Sequence, residues 1–307
     1  MTSRFHRAGG ASLPAWRSIM YVPVINEKFV NAAHTRGADA IALDLEDSIA
    51  QSRKDEARQR VESAAEQVGR DGADVLVRVN RPWRMALRDI EAVVSPRVYA
   101  LILPKVEEAQ HVRVISEVVA EMEAARGMAI GSTRFVALVE SAAAFPRMEE
   151  IAHADPRIVA LSLGAEDFAV SCGMEPDDDG LYVPKMHMLV LARAAGIIPL
   201  GFIGTIADYQ DLDGLRRATQ RARRLGFMGA TCVHPGQVAV INESYSPSAQ
   251  EVEQARRVVE AAAQAAQQGI GALEVDGRMV DAPVVERAHS LLARFEAIEA
   301  RARRHTG

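Results

Sequence analysis

Two acidic residues, Glu140 and Asp167, each follow a short apolar run, and the two runs are neighbours along the chain. If both runs are adjacent parallel strands, the carboxylates meet at one edge of the sheet and can share a hard divalent cation. Mg²⁺ typically takes one or two carboxylates and completes its octahedron with water and substrate oxygens. The alternative is that each acid pairs with Arg78 or Lys105 at the same edge, and position alone leaves both open.

A second acidic group, formed by Asp44, Glu46 and Asp47, ends an earlier apolar run. Side chains alternate along a strand, so Asp44 and Glu46 share one face while Leu45 takes the other. The three acids cannot all bind one ion, and we expect one of them to hold a water molecule or an arginine. For any single one of them, a structural role is favoured.

Arg78 follows the run Val75-Leu76-Val77. A guanidinium buried there is costly unless it meets an anion, and its fork matches a carboxylate. Binding of a substrate carboxylate is therefore favoured over an internal ion pair. Residues 164–167, which are Gly164, Ala165, Glu166 and Asp167, begin a predicted helix and can offer backbone N–H groups to an anion.

His234, within Cys232-Val233-His234-Pro235, is a candidate acid or base. A histidine that is satisfied inside the fold explains it at least as well. The residues alone leave both interpretations open.

Eight short apolar runs predict the strands that position these groups: 17–23, 39–46, 74–80, 98–103, 134–140, 157–163, 198–203 and 229–234. Most are near-continuous Val, Ile, Leu and Ala, which is typical of parallel strands buried on both faces. Alanine-rich, charged stretches such as 52–68 and 107–125 lie between them and predict amphipathic helices. This alternation predicts an α/β fold, a (β/α)8 TIM barrel. The rival, a doubly wound open sheet, lacks its GxGxxG after the first strand.

The charged candidates follow the predicted strands rather than precede them, although Asp39, Asp74 and Arg134 lie at the opposite ends. Active sites of TIM barrels gather at the carboxyl ends of the strands. We therefore expect one acidic, metal-capable mouth.

The chain after the eighth run exceeds what a barrel needs. Residues 248–268 predict a long helix, 269–283 are glycine-rich, and 284–301 predict a last helix. We predict a barrel domain over 1–268, whose first 15 residues form a disordered arm, and a C-terminal helical extension over 269–307.

The composition narrows the classes of partner. A net charge of −5 over 307 residues argues against a nucleic-acid partner, because phosphate binding needs a basic surface. Two cysteines without a CxxC pair suit a reducing compartment. The sequence has neither an apolar run of membrane-spanning length nor a readable export signal, and we predict a cytoplasmic protein without a membrane partner.

Several short motifs, spread from residue 17 to about 283, resemble one family in their order. The chain is similar to the citrate lyase beta-subunit, malyl-CoA lyase and citramalyl-CoA lyase group of the HpcH/HpaI aldolase superfamily. The motifs include Arg17-Ser18, Leu43-Asp44-Leu45-Glu46-Asp47-Ser48, Val77-Arg78-Val79-Asn80, Leu103-Pro104-Lys105-Val106-Glu107, Val139-Glu140-Ser141, Leu163-Gly164-Ala165-Glu166-Asp167, His234-Pro235-Gly236-Gln237 and Met279-Val280-Asp281-Ala282-Pro283.

The resemblance implies a Mg²⁺ site and a substrate site. Glu140 and Asp167 match the family's two metal-binding carboxylates. Arg78 matches the arginine that binds the carboxylate of the keto-acid part, and the amides of residues 165–167 match the loop that holds the same group.

The resemblance also implies contacts beyond the mouth. Arg17 and Lys28 match positions that contact coenzyme A phosphates. Asp281 matches a carboxylate that one subunit donates to a neighbour's site, so the extension would pack on a neighbouring subunit of a homotrimer or hexamer. Arg78, Asp281 and Asp47 are the candidate catalytic residues, with Asp281 the candidate acid or base.

Three departures from the family pattern bear on the substrate. Val24 stands where the family usually has glycine, and it is expected to narrow the mouth or change the acyl carrier. Lys185 lies where the family is often arginine-rich, and Gly201 lies in a segment that commonly carries an aspartate. These changes leave the metal site intact and bear on the use of coenzyme A.

The leading hypothesis is a Mg²⁺-dependent carbon–carbon lyase. It cleaves or forms a 3-hydroxyacyl-CoA such as malyl-CoA or citramalyl-CoA, with an acyl-CoA and a 2-keto acid as partners in the reaction. One alternative is a lyase for a free hydroxy keto acid without coenzyme A. Another is a carrier-linked lyase subunit, against which Asp281 argues because beta subunits of citrate lyase are expected to lack the C-terminal extension.

Overall fold

The computed structural model describes residues 13–206, 209–268 and 273–304. Residues 1–12 of the predicted arm and residues 269–272 of the glycine-rich segment lie outside the described residues. The chain forms two compact units: one is Trp16–Tyr245, and the other contains the residues from Ser246 onwards. The long helix that we assigned to the barrel domain thus groups with the C-terminal residues.

The first unit contains eight strands, and all eight predicted strands are present. They are β1 Ser18–Pro23, β2 Ala40–Asp44, β3 Asp74–Arg78, β4 Ala100–Leu103, β5 Arg134–Val139, β6 Ile158–Leu163, β7 Ile198–Leu200 and β8 Ala230–Cys232. Several are shorter than predicted, because residues such as Glu46, Asn80 and Ile203 lie beyond the last strand pairing.

The strands pair in parallel in the order β7-β6-β5-β4-β3-β2-β1-β8. Leu200 and Gly229 form a parallel bridge between the two ends of that order, and the Gly201 N–H donates to the Gly229 carbonyl at 2.8 Å. A Cβ at Gly229 would lie 2.5 Å from the Trp16 carbonyl oxygen, so only glycine fits there. The sheet is therefore the predicted (β/α)8 barrel.

Nine α-helices of the described chain belong to this unit. They are α1 Glu27–Ala33, α2 Lys54–Val68, α3 Trp83–Val93, α4 Ala109–Ala125, α5 Met148–Ala152, α6 Ala165–Cys172, α7 Asp178–Ala194, α8 Leu212–Leu225 and α9 Pro235–Tyr245. The predicted helices over 52–68 and 107–125 correspond to α2 and α4. None of the helices in the described part of the chain combines the length and apolarity that a membrane crossing requires.

The core lies between the strands and the helices that follow them. The strands β2, β4 and β6 are buried at every residue, which explains their near-continuous apolar sequences. Helices contribute one face each; in α2 the buried residues include Ala57, Val61, Ala64 and Val68, spaced by three or four.

The C-terminal unit contains α10 Ala249–Gln267, the antiparallel pair β9 Leu273–Val275 and β10 Arg278–Val280, and α11 Ala282–Arg304. Ser248 caps α10 in a capping box with Glu251. Ala255, Val258, Val280 and Ala288 form a small core of their own. The predicted helices are present, and the glycine-rich segment contains a hairpin.

Candidate active site at the carboxyl ends of the strands

A cavity of about 490 Å³ lies at the carboxyl ends of the barrel strands. Most of its lining comes from residues that end strands or follow them, as the barrel geometry requires. The lining residues include Tyr21, Asp44, Asp47, Arg78, Glu140, Gly164, Ala165, Glu166, Asp167, Lys185, Gly201, Phe202 and Thr205.

Arg78, at the end of β3, is held by two acids at the end of the neighbouring strand β2. Its Nε and Nη2 donate to Oδ1 and Oδ2 of Asp44 at 2.7 and 2.8 Å, and Nη1 lies 2.9 Å from Oε2 of Glu46. Burial raises the pKa of Asp44, but the hydrogen bonds and charge of Arg78 outweigh it and hold that pKa below its ordinary value. The structure thus contains the internal ion pair that the sequence analysis ranked second; binding of a substrate carboxylate by Arg78 stays a prediction.

Lys105 connects two carboxylates from a strained backbone position. Its φ of 50° is in the left-handed region that non-glycine residues seldom adopt. In that conformation its N–H donates to Oε2 of Glu140 at 2.7 Å, while its Nζ donates to Oε1 of Glu46 at 2.7 Å. Such strain persists where surrounding contacts fix it, often at functional sites.

Glu140 is a buried carboxylate among other acids. Burial raises its pKa; the Lys105 N–H opposes this, and the negative charges of Glu46 and Asp167 add to it, which gives a pKa of about 7. A Cβ at Gly164 would lie 2.6 Å from Oε1 of Glu140, so the absence of a side chain there makes room for the carboxylate. Glu140 and Asp167 thus interact at one cavity, as the sequence predicted for adjacent strands.

The predicted anion-binding loop lies at the same cavity. Gly164 is the N-cap of α6, and Ala165, Glu166 and Asp167 form its first turn. The first N–H groups of a helix have no intrahelical partner and carry the positive end of its dipole. The hydroxyl of Thr205 donates to Glu166, which connects α6 to the segment after β7.

A buried network fixes the acidic loop after β2. Lys54 donates through Nζ to the carbonyls of Leu45 and Glu46, both at 2.6 Å, and Nδ2 of Asn80 donates to the Leu45 carbonyl at 3.0 Å. These contacts hold the backbone of the loop, and the side chain of Glu46 contacts Arg78 and Lys105.

Two cavity residues were missed as functional candidates by the sequence analysis. Tyr21 lies under the Arg78 guanidinium, 4.9 Å from the ring centroid, and burial raises the pKa of its phenol. Lys185 is 5% exposed in the middle of α7, and its Nζ donates to the carbonyls of Phe202 and Gly204 at 2.7 and 2.9 Å. Burial lowers the pKa of Lys185 to about 8. Only the departure from the family pattern drew attention to Lys185.

Two predicted coenzyme A contacts fall outside the cavity lining. Arg17 precedes β1, at the amino ends of the strands, where its Nε and Nη2 donate to Asp39, each at 2.8 Å. The residue before a parallel strand lies at the opposite end from the residue after it, so Arg17 lies away from the cavity, and its contact with coenzyme A phosphates stays a prediction. Lys28 is exposed in the first turn of α1, on the mouth side.

Two further expectations about individual residues need correction. His234 is exposed and stacks on Tyr209 at 5.2 Å between ring centroids, so it is not satisfied inside the barrel, and it is not among the lining residues of the cavity. Val24 is 2% exposed and packs in the core, so its side chain does not narrow the mouth. Lys185 and Gly201, at the other two departures, do line the cavity.

Asp281 lies between β10 and α11 in the C-terminal unit. Its carbonyl accepts from the N–H groups of Val284 and Val285, both at 3.1 Å, and its Oδ1 accepts from the Val284 N–H at 3.3 Å. In the single chain it therefore begins a helix. Its donation to a neighbour's site stays a prediction.

The donor set at the mouth suits a hard cation. In the described part of the chain no cluster of three or more His, Cys, Asp or Glu side chains forms a complete metal cage. Mg²⁺ does not need one, since one or two carboxylates with water and substrate oxygens suffice. A cation between Glu140 and Asp167 would neutralise the repulsion that raises the pKa of Glu140, so these residues fit the ion.

A family model for HpcH/HpaI aldolase/citrate lyase matches residues 17–235. The chain belongs to this family. It is accordingly an enzyme of the carbon–carbon lyase class, as the resemblance implied.

Named relatives fall into two groups with similar identity to this chain. The citrate lyase subunit beta of Escherichia coli K12 is 36% identical over 285 residues, covering 91% of this chain and 93% of its own. The L-malyl-CoA/beta-methylmalyl-CoA lyase of Rhodobacter capsulatus is 33% identical over 297 residues, covering 89% and 91%. Among solved structures, Mycobacterium tuberculosis CitE in complex with magnesium, acetoacetate and coenzyme A is 28% identical, with a TM-score of 0.72 and coverage of 92% and 98%.

The coverage corrects one argument from the C-terminal extension. A match over 91% of 307 residues includes about 279 of them, so it must extend at least to about residue 279, within the extension 269–307. The expectation that beta subunits lack this extension is therefore wrong for at least the first part of it in that relative. The extension therefore does not separate a stand-alone lyase from a carrier-linked subunit.

Proposed function

We propose that the protein is a Mg²⁺-dependent lyase that cleaves or forms a 3-hydroxyacyl-CoA of the malyl-CoA or citramalyl-CoA type. Its products in the cleavage direction are an acyl-CoA and a 2-keto acid. The observation that carries the proposal is the pair Glu140 and Asp167 at one cavity, with the pKa of Glu140 raised to about 7 by burial and neighbouring carboxylates. Relatives named as malyl-CoA lyases and a CitE complex with magnesium and coenzyme A support it.

Each residue of the mouth has a distinct part in binding. When bound, Mg²⁺ supplies Lewis acidity to the keto-acid oxygens. Glu140 and Asp167 would hold the ion, with Glu140 oriented by the Lys105 N–H. The amides at the start of α6 and the guanidinium of Arg78 would bind the keto-acid carboxylate, and Asp44 fixes the orientation of that guanidinium.

Cleavage requires one group to remove the hydroxyl proton and one to protonate the thioester enolate after the carbon–carbon bond breaks. We propose Asp281 of a neighbouring subunit for this work, in a homotrimer or hexamer. Within the chain, Asp47 is the second candidate, since it lines the cavity with its side chain 60% exposed. A cytoplasmic location stays a prediction from the sequence.

A carrier-linked lyase subunit is the second candidate function. The 36% identity to the E. coli citrate lyase subunit beta favours it, and the extension does not argue against it. The hypothesis of a lyase for a free hydroxy keto acid has less support than the sequence suggested, because Val24 is buried in the core rather than placed at the mouth.

The test is a cleavage assay with Mg²⁺ on malyl-CoA, citramalyl-CoA, acyl-carrier-protein thioesters and a free hydroxy keto acid, in which released keto acid is measured. Metal-dependent cleavage of a coenzyme A thioester, abolished by EDTA and by Asp167→Asn, is the expected result. Direct titration of Mg²⁺ into Asp167→Asn should show weakened binding independently of turnover.

Each other outcome identifies a different function. Turnover of the carrier-protein thioester alone would select the second candidate. Turnover of the free acid alone would exclude a role for coenzyme A. If the Asp167→Asn variant cleaves the substrate normally, and the unmodified enzyme does so in the presence of EDTA, the proposed metal site is contradicted.

A further inference from the structure

The left-handed backbone of Lys105 is held on both sides of its Cα. The Lys105 N–H donates to Oε2 of Glu140 at 2.7 Å, and the Lys105 carbonyl accepts from Nε of Arg81 at 3.1 Å. The next N–H, that of Val106, donates to the Leu138 carbonyl at 3.0 Å. Both polar groups of the peptide that follows Lys105 are therefore paired, and this pairing holds the residue at its φ of 50°.

The conformation of Lys105 decides where its N–H points. A non-glycine residue stays in the left-handed region only where surrounding contacts fix it. Without a donor on its carbonyl, Lys105 would relax towards an ordinary conformation, and its N–H would turn away from Glu140. Of the two contacts on the following peptide, the one from Val106 is made by the backbone, so the contact from Arg81 is the one that a side chain supplies.

Arg81 is itself fixed by an aromatic cluster outside the cavity. Its side chain is half-buried, and its guanidinium carbon lies 5.8 Å from the centroid of the Trp83 ring, which attracts a cation. The ring of His111 meets Trp83 edge to face, with 5.0 Å between ring centroids. Burial, and then the charge of Arg81, lower the pKa of His111 to about 4, so this histidine is neutral near pH 7 and does not repel the arginine.

We propose that Arg81 is a positioning residue for the metal site, which acts through the Lys105 carbonyl to keep the Lys105 N–H directed at Glu140. The inference rests on the proposed function, because it takes Glu140 as a ligand of Mg²⁺. Arg81 is not among the described residues that line the cavity, so it acts through the backbone rather than on the substrate.

The direction of the change in Mg²⁺ affinity distinguishes positioning from a simple effect of charge. Arg81 forms no salt bridge with an acid of the described residues, so by charge alone its removal would strengthen the binding of a cation nearby. As a positioning residue, its removal should weaken that binding. Calorimetric titration of Mg²⁺ into the full-length Arg81→Met variant should show roughly 10-fold weaker binding, the lower end of the range for loss of an orienting contact.

Two further variants keep part of the arrangement. Arg81→Lys retains a donor and should recover part of the lost Mg²⁺ affinity. Trp83→Leu removes the aromatic surface beside the guanidinium but leaves Arg81 in place, so it should weaken Mg²⁺ binding by a smaller factor than Arg81→Met.

Arg84→Met is the matched control, since Arg84 carries the same charge and is exposed in the first turn of α3. It should leave Mg²⁺ affinity within about twofold, and urea denaturation should show that every variant is folded. Unchanged or tighter Mg²⁺ binding in folded Arg81→Met, while Glu140→Gln weakens it, would overturn the inference alone. Unchanged binding in Glu140→Gln would instead overturn the proposed metal site, and the inference with it.

Discussion

Two buried glutamates lie at opposite ends of the same barrel. At the amino ends, Glu123 of α4 accepts from both terminal nitrogens of Arg157, at 2.8 and 2.7 Å, and from the backbone N–H groups of Gly131 and Thr133. Burial raises its pKa, but these donors outweigh burial and lower that pKa to about 2. At the carboxyl ends, Glu140 has the Lys105 N–H as its main donor, and its pKa is about 7.

The difference teaches how to distinguish structural from functional burial of charge. Glu123 has its negative charge fully compensated by fixed donors, so it stabilises the folded chain in one arrangement. Glu140 has more negative charge than donors around it, so it gains most when a cation arrives. A carboxylate beside a cavity that has too few hydrogen-bond donors and cations around it is a candidate metal ligand. A carboxylate whose charge is fully balanced by fixed donors stabilises the fold.

A pair of arginine–aspartate contacts on one strand repeats the comparison. Asp39, before β2, is bound by Arg17, and Asp44, at the end of β2, is bound by Arg78, each through Nε and Nη2. The contacts are similar, yet only the second lines the cavity. Location in the barrel, rather than residue type, assigns the function.

Exchanging each glutamate for glutamine should give the largest effects, one on turnover and the other on the stability of the fold. Glu140→Gln should lower Mg²⁺-dependent turnover by more than about 100-fold. Losing a residue that only orients a metal ligand costs roughly 10- to 100-fold, and losing the ligand itself should cost more. Glu123→Gln should destabilise the fold by about 3 kcal/mol, because it leaves the buried Arg157 without its counter-charge. Turnover assays and urea denaturation measure the two. A comparable loss of turnover in Glu123→Gln protein that remains folded would contradict the purely structural role of Glu123.

Gly164→Ala should disturb the metal site without changing its ligands. The added Cβ would lie 2.6 Å from Oε1 of Glu140 and force the carboxylate to move. We expect Mg²⁺ affinity to fall by roughly 10- to 100-fold, as for loss of an orienting contact. Calorimetric titration measures it, with Gly236→Ala as control, since a Cβ there meets the His234 ring at 3.1 Å. Unchanged affinity in Gly164→Ala would argue against Glu140 as a ligand.

The pH dependence of stability should have opposite signs at the two glutamates in metal-free protein. Glu140 has a folded pKa of about 7, above its ordinary 4.5, so the stability it contributes is present below pH 4.5 and lost as pH rises through 7. Glu123 has a folded pKa of about 2, so its contribution is present above pH 4.5 and lost as pH falls towards 2. Denaturation of each Gln variant beside the unmodified protein, from pH 3 to 8 with EDTA, measures both. If the stability lost in the two variants changes with pH in the same direction, the opposite pKa shifts assigned to Glu140 and Glu123 are refuted.

The smallest effect is expected from Arg17→Lys. Lysine cannot reproduce the two-pronged contact with Asp39, and we expect a loss of about 1 kcal/mol in the free energy of unfolding. The KM for the coenzyme A substrate should not change, because Arg17 lies at the end of the barrel opposite the cavity. A KM increase of tenfold or more would instead support the contact between Arg17 and coenzyme A phosphates that the family resemblance implied.

Much of this site followed from local sequence. Glu140 follows its apolar run directly and Asp167 comes four residues after Leu163. Parallel strands bring the residues that follow them to one end of the sheet. The location of Arg17 at the amino ends of the strands also follows from the sequence, since Arg17 precedes β1. The partner of Arg78 was harder to predict. Substrate binding was favoured, yet its guanidinium contacts Asp44 and Glu46, because the pairing of β2 with β3 brings the two strand ends together.

The sequence by itself determined the eight strands, the end of the barrel that carries the acids, and the membership of Glu140 and Asp167 in one site. These follow from the periodicity of apolar residues and from strand direction, which are local properties of the chain. Only the tertiary structure decided that Lys185 is buried at the cavity, that Val24 is not at the mouth, and that Glu140 lacks compensation. Burial and charge balance depend on neighbours distant in sequence, so they exist only once the barrel has closed.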